Sequence, residues 1–423
     1  MTDPPPEIPL AVGVDVTGVE RITRLSSRRP GFASKMFSVE EVEYCAGRPE
    51  RLAARWAAKE AVRKVYGSQG RPIPTYTSIA VTHRLGGAPA VLIDGRSVPG
   101  LELSLSHDVG LAVAVAAFDP RAAAKVRLTS GLPVGLRLPE RSDEAHKGTF
   151  GTALVLAGSP AFPGAAILAC RGAHRGGAGK VKVIVAAEGG QGGFAPETIR
   201  VPLPISPDGY SGASAAALGA QLSGAQAVVC GPGLGDGEPL LEFLRGVLQQ
   251  MGERGHHLVI DADALNAIAR WDELRRLVPA GSVLTPHPLE ASRLLRRPVA
   301  DLEADRPGSA QELARQLACV VVLKGPGTVV AGAESGLWTD DHATAVLASG
   351  GTGDVLAGLI GALLAQGQSP FEAAQAAVFL HAEAGSQLAR RRGRAGILAS
   401  EVADALVEVQ EEVRLDIEAR TRA

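Results

Sequence analysis

Six short apolar runs constrain the second half of this chain more than any other feature. They are ALVLA (153–157), VKVIVA (181–186), AVVCG (227–231), LVIDA (258–262), SVLTP (282–286) and VVVLKG (320–325), and stretches patterned as helices separate them. A strand with one wet face alternates apolar and polar residues, whereas these runs are apolar on both faces and must be covered on both. Strand–helix alternation supplies that cover, so the expectation is a mostly parallel sheet between two helix layers. No fixed-period repeat is visible, which argues against a solenoid.

The first 118 residues read differently. Residues 8–16 alternate, with Ile8, Leu10, Val12, Val14 and Val16 on one face and Asp15 on the other. Thr17-Gly18-Val19-Glu20 fits a capping box opening a helix. A helical stretch at 51–66 and short strands at 77–83, 90–93 and 111–118 complete a small α+β unit. From Asp119 to Ala145 the chain is rich in Pro, Arg and Leu and lacks a period. The expected organisation is therefore one domain at 1–120, a linker and lead-in at 121–145, a second domain at 146–415 and a polar tail at 416–423.

Charge and cysteine usage narrow the class. A net charge of −2 argues against nucleic-acid binding, and the four cysteines have no C-x-x-C spacing to suggest zinc or a disulfide framework. The most apolar stretches, 151–170 and 348–366, are interrupted by Gly or Pro, so no membrane span is expected. The first residues are polar and proline-rich rather than a cleavable apolar segment. A reduced, cytoplasmic protein is the expectation.

In the first domain Asp15 ends an apolar strand, and Glu60 follows Leu52 and Trp56 at i+4 spacing, on the apolar side of its helix. An inward carboxylate needs a cation or hydrogen bonds; the plain alternative is that Asp15 caps a turn and Glu60 pairs with Lys64. GVDVTGVERI (13–22), FSVEEVEYC (37–45), RWAAKEA (55–61) and LSLSHD (103–108) follow in order. Together they resemble holo-acyl-carrier-protein synthase, the small type of 4′-phosphopantetheinyl transferase, over roughly residues 8–118. The resemblance implies that Asp15 and Glu60 hold Mg²⁺ against the pyrophosphate of coenzyme A, with Lys59 as a second cation and Ser106 and His107 binding coenzyme A. A serine of an acyl carrier protein would attack the nearer phosphorus, with Glu60 as base. Arg21, Arg24, Arg28 and Arg29 make the first helix basic; most such clusters are solvated faces, but the resemblance implies docking of an acidic carrier. One departure is that the family's G-K-P reads Gly87-Ala88-Pro89.

In the second domain, SGGTGDVLAGLIGALL (349–364) puts Gly350, Gly351 and Gly353 before an apolar helix that opens at Asp354. Backbone N–H groups at a helix start form an anion site, and glycine lets the ligand approach. Asp354 beside it is either a general base or a plain helix cap. With HKGTFGTALVLAGS (146–159), GPGLG (231–235), DADALN (261–266), LTPHPLEASRLL (284–295) and VVLKGPGT (321–328), the pattern resembles the ADP- or ATP-dependent NAD(P)H-hydrate dehydratases, which have the ribokinase-like α/β three-layer fold. The resemblance implies that ATP or ADP phosphorylates the ring hydroxyl of hydrated NADH or NADPH (NADHX, NADPHX), after which phosphate leaves. Asp354 would be the base, and Ala165, Gly233 and His287 would line the hydrate pocket. Lys324, Gly325, Pro326, Gly327 and Thr328, with Gly353, would hold the nucleotide. Two departures are visible: P-H-P-G-E reads Pro286 to Glu290 with Leu289, and N-P-G-M reads Thr344 to Leu347.

Two other readings stand beside this double enzyme: a small-molecule kinase in the second domain, or one domain serving only assembly. The transferase resemblance implies trimers with sites between protomers, and many of the dehydratases are tetramers. A homo-oligomer is therefore expected, and closure under both symmetries needs about twelve chains.

Overall fold

The structure is a computed structural model and describes residues 10–29, 31–83, 88–98, 100–119, 128, 131–186, 192–205, 209–334 and 336–421. Ile8, Gly87 and residues 121–127 and 129–130 of the expected linker lie outside the described residues. The chain divides into two compact units, Met1–Arg127 and Leu128–Ala423.

In the first unit the strands are β1 (Ala11–Gly18), β2 (Ile79–His83), β3 (Pro89–Ile93), β4 (Arg96–Ser97), β5 (Leu101–Asp108) and β6 (Leu111–Phe118). They form two antiparallel sheets, β1-β6-β5 and β2-β3-β4. The helix Pro49–Ser68 packs on the first sheet through Ala57, Ala58 and Ala61, against Ala114 and Ala116 of β6. Small residues bring the backbones unusually close: a Cβ on Gly13 would lie 2.0 Å from the Ala61 carbonyl oxygen.

That close approach decides which face of β1 turns inward. Gly13, Asp15 and Thr17 face the helix side, and Val12, Val14 and Val16 point outward at 50%, 48% and 56% exposure. Asp15 lies within β1 rather than at its end. The expected capping box is also absent. The helix Val19–Arg28 has Gly18 as its N-cap without a side-chain bond, because Thr17 belongs to β1 and donates its hydroxyl to Asp15 instead.

Among the described residues the second unit is built on nine strands: β7 (Thr152–Leu156), β8 (Lys180–Ala186), β9 (Ile199–Leu203), β10 (Ala227–Cys230), β11 (His257–Ile260), β12 (Val283–Leu284), β13 (Val320–Leu323), β14 (Val329–Gly332) and β15 (Leu337–Thr339). Their order is β15-β14-β13-β12-β11-β10-β7-β8-β9, parallel from β13 to β9 and antiparallel at the β13-β14-β15 edge. All six apolar runs are strands of this mostly parallel sheet. Alternate residues feed two cores: Val155, Val183, Val229 and Val259 on one face, Leu154, Leu156, Val228 and Leu258 on the other. Leu132 and Leu136, from the expected lead-in, are buried in the first of these cores.

On that first face the helices Pro163–Arg175 and Thr352–Ala365 meet backbone to backbone. A Cβ on Gly358 would lie 1.9 Å from the Ala169 oxygen, and one on Gly172 would lie 2.2 Å from the Val355 oxygen. Among the described residues no helix is long and apolar enough to cross a membrane.

Candidate functional site

The central strands of the second unit run parallel, so the segments that leave their C-terminal ends share one edge. That edge is where open α/β sheets bind ligands. Leaving β11, Asp261 is buried, and its Oδ1 accepts the Thr285 hydroxyl at 2.7 Å and the Lys324 ammonium at 2.8 Å. Lys324 itself leaves β13. Burial works against its charge, but the carboxylates of Asp261, Glu290 and Asp354 outweigh this and hold its pKa above the usual value.

The glycine loop comes directly against this ammonium. A Cβ on Gly353 would sit 3.4 Å from Lys324 Nζ. Gly351, at φ +88°, is the N-cap of the helix Thr352–Ala365, and a Cβ there would strike Leu168 at 2.4 Å. Asp354 is thus in the first turn and is not the cap, which removes the plain alternative for it. Burial raises the Asp354 carboxyl to about 7, helped by Asp261 and Asp263 and opposed by Lys324. Glu290 is likewise raised to about 7, chiefly by burial and with Asp261 adding, against Lys324.

His287 is the N-cap of the helix Pro288–Leu295. Its Nδ1 accepts from the backbone N–H of Leu289 (3.1 Å) and Glu290 (3.3 Å), and Glu290 Oε2 accepts the His287 N–H at 2.8 Å. An accepting Nδ1 leaves the proton of the neutral ring on Nε2. Burial, with Lys324, lowers the ring pKa. The side chain is half exposed, so His287 is not a buried structural histidine.

Gly233 (φ +65°) and Ala165 adjoin: a Cβ on Gly233 would lie 2.8 Å from that of Ala165. Gly325 (φ +137°) and Gly327 (φ +66°) turn the loop after β13 in conformations that favour glycine. The Thr328 hydroxyl closes this loop on Gly325 O at 2.8 Å, and Arg306 steadies its base by donating to Leu323 O and Lys324 O. Pro326 is exposed at its tip. Asp261, Thr285 and Glu290 had no expected role. A carboxylate directly after an apolar strand, as in LVID, was the signal that marked Asp261.

In the first unit, Asp15 accepts the Thr17 hydroxyl on Oδ2 and the Lys64 ammonium on Oδ1, each at 2.8 Å. Glu60 accepts the Tyr76 hydroxyl. The plain pairing of Glu60 with Lys64 therefore gives way to a bridge from Lys64 to Asp15, one helical turn beyond Glu60. Lys59 does not meet expectation. It is fully buried, and its ammonium is satisfied by Glu41 (2.7 Å), Met36 O and Tyr76 O (2.8 Å each). Three donors and three acceptors leave nothing for a phosphate. Glu41 was missed because it doubles as the N3 partner of the Ser38 capping box, which hides its inward role.

Strand register separates the two expected coenzyme A residues. His107 aligns with Ala112 and Thr17, on the Asp15 face, while Ser106 aligns with Val113 and Val16, on the outward face. Both are exposed. Arg21, Arg24 and Arg28 are exposed along the helix Val19–Arg28, where Arg24 lies 3.7 Å from Glu20. Among the described residues no three metal-binding side chains cluster. Two hard carboxylates with the rest of the shell left to phosphate and water suit Mg²⁺, so Asp15 and Glu60 fit the ion in donor chemistry.

Comparison with known proteins separates the units in the same way. Residues 153–408 match the NAD(P)H-hydrate dehydratase family model, and residues 11–116 match that of the 4′-phosphopantetheinyl transferase superfamily. The chain is 37% identical over 281 residues to the ADP-dependent (S)-NAD(P)H-hydrate dehydratase of Neisseria meningitidis, covering 65% of this chain and 91% of that protein. It is 42% identical to the bifunctional NAD(P)H-hydrate repair enzyme of Gloeobacter violaceus over 66% of this chain, but spans only 53% of that relative. Among solved structures, the ADP/ATP-dependent NAD(P)H-hydrate dehydratase of Bacillus subtilis, co-crystallized with ATP/Mg²⁺, is 33% identical with a TM-score of 0.55, covering 65% of this chain and 94% of that one.

Proposed function

The chain belongs, through residues 153–408, to the NAD(P)H-hydrate dehydratase family, and from that premise we propose that its second unit returns hydrated NADH and NADPH to the reduced cofactors at the expense of ADP or ATP. The observation that carries this reading is the meeting of Lys324, Gly353 and Asp354 at the C-terminal edge of the sheet. Asp354 takes the proton of the hydroxyl on the hydrated ring, and the freed oxygen attacks the terminal phosphorus of the nucleotide, breaking its bond to the bridging oxygen and releasing ADP from ATP or AMP from ADP. Backbone N–H groups at the start of the helix Thr352–Ala365, with the Lys324 ammonium, meet the charge on the transferred group. Phosphate then leaves together with a proton from the neighbouring ring carbon, which restores the double bond. The loop Lys324–Thr328 and Gly353 hold the nucleotide. Ala165, Gly233 and the Nε2 side of His287 face the hydrate.

The first unit, on this reading, transfers phosphopantetheine from coenzyme A to a serine of an acyl carrier protein. Asp15 and Glu60 would hold Mg²⁺, which supplies neutralising charge to the pyrophosphate. Glu60 accepts the serine proton, and Arg21, Arg24 and Arg28 attract an acidic carrier. His107 contacts coenzyme A from the Asp15 face. Ser106, on the outward face, contacts coenzyme A held by an adjoining copy of the chain, in keeping with a homo-oligomer.

The test is absorbance of the reduced nicotinamide after adding hydrated NADH with ATP, then with ADP. Recovery that requires nucleotide and is lost in Asp354→Asn is the expected outcome. Consumption of nucleotide without recovery of the band would instead identify a kinase.

A further inference from the structure

Outside both sites, the second unit buries a chain of three ionisable side chains. His342 Nδ1 lies 2.8 Å from Asp340 Oδ1, and its Nε2 lies 2.9 Å from Glu383 Oε2. All three side chains are at least nine-tenths buried. Burial alone would strip the imidazole of its proton, but the two carboxylates win and raise its pKa to about 9. At neutral pH the ring is therefore an imidazolium donating from both nitrogens, one to each carboxylate. Glu383 Oε1 also accepts from Gln387 Nε2 at 2.9 Å, and the Arg390 guanidinium stands 3.8 Å away.

The position of this chain gives it a purpose. The Asp340 backbone N–H donates to Thr328 O at 2.8 Å, so one end is tied to the loop Lys324–Thr328. Glu383, at the other end, is on the helix Pro370–Arg392. Between them residues 340–348 lead into the glycine loop and pack on that helix at Gly385, where a Cβ would lie 2.9 Å from Leu347 and 3.2 Å from Thr344. The Thr352 hydroxyl then donates back to Leu347 O (2.8 Å) and Ser349 O (2.9 Å). This lead-in is the stretch that carries Thr344 to Leu347 where N-P-G-M is usual. A proline restrains backbone directly, and here an ion-paired side chain is the restraint.

We propose that the Asp340–His342–Glu383 triad is a positioning element of the nucleotide site, fixing the spacing between the loop Lys324–Thr328 and the loop Gly350–Gly353. The proposal rests on the nucleotide reading of the second unit. Without the imidazolium, two buried carboxylates lose their shared counter-charge, and the lead-in has to shift to hydrate them.

The experiment compares wild type, His342→Gln and Glu383→Gln in the full chain. Equilibrium binding of ATP and ADP is measured with magnesium present, and steady-state repair kinetics alongside. The expected result for His342→Gln is a rise of about tenfold or more in nucleotide Kd and KM, with the hydrate KM unchanged and kcat within about threefold. A purely architectural role would lower the melting temperature and the active fraction, yet leave the nucleotide Kd of the folded fraction unmoved. That result overturns the proposal and leaves the proposed function standing. Wild type that binds neither nucleotide overturns both. Should circular dichroism find His342→Gln unfolded, Glu383→Gln carries the same comparison, since it keeps the shape and an acceptor for His342.

Discussion

Asp354 holds its proton to about pH 7 because it is buried beside Asp261 and Asp263, with Lys324 only partly compensating. A base must be deprotonated to act, so repair activity at saturating nucleotide is expected to rise with pH and level off above about 7. The same shift acts on stability with a definite sign. A carboxyl whose folded pKa is raised favours the folded state while protonated, and that stability is lost as pH climbs from the unfolded value through about 7. Asp354→Asn should therefore melt at the wild-type temperature near pH 4 and roughly 3 °C or more above it at pH 8, as a calorimetric pH series would measure. Equal melting temperatures at pH 8 would remove the case for a strained carboxylate. Asp354 was legible in the sequence because a glycine loop and a helix start mark it. Its raised pKa was not, since Asp261 and Asp263 come to it from the segment after β11 and Lys324 from the segment after β13, both far away in the chain. Lys59 misled for a related reason: its neighbour Glu60 points toward Tyr76, and one residue along a helix turns about 100° to another face, here onto Glu41.

At the scale of elements, the apolar runs identified six strands because burial on both faces leaves few polar residues to blur them, Lys182 in β8 being one. β9 and β15 escaped for the opposite reason, whereas β14 is wholly buried but only four residues long and ends in Gly332. β9 carries Pro202 and exposed residues at the sheet edge, and β15 is three residues long with Leu337 exposed. Alternation located β1 but did not say which face turns inward; that depended on Gly13 meeting the helix backbone at Ala61. The pairing of the helices Pro163–Arg175 and Thr352–Ala365 is equally hidden in the sequence and equally strict. Gly358→Ala would put a methyl 1.9 Å from a backbone oxygen that has no rotamer to retreat into. The expected cost is about 3 kcal/mol or more, seen as a lower urea midpoint. Repair activity should fall with it, since one helix carries Asp354 at its start and the other carries Ala165.

Over the whole molecule, the two acids that define the sites belong to separate compact units, Asp15 in Met1–Arg127 and Asp354 in Leu128–Ala423. Asp15→Ala should reduce phosphopantetheine transfer by about a hundredfold or more while leaving hydrate repair within about twofold of wild type. A parallel loss of repair in a folded protein would contradict the separation. The outward side of β1 extends the argument beyond one chain. Val12, Val14 and Val16, with Val115 beside them on β6, present hydrocarbon to water at the very strand that holds Asp15. Hydrocarbon of this kind is protected only when another surface meets it, and such meetings follow mass action. In the homo-oligomer proposed for this chain, dilution would act on the first unit as a chemical variable: each fall in concentration would return more of that strand to water, and transfer activity per chain is expected to fall with it.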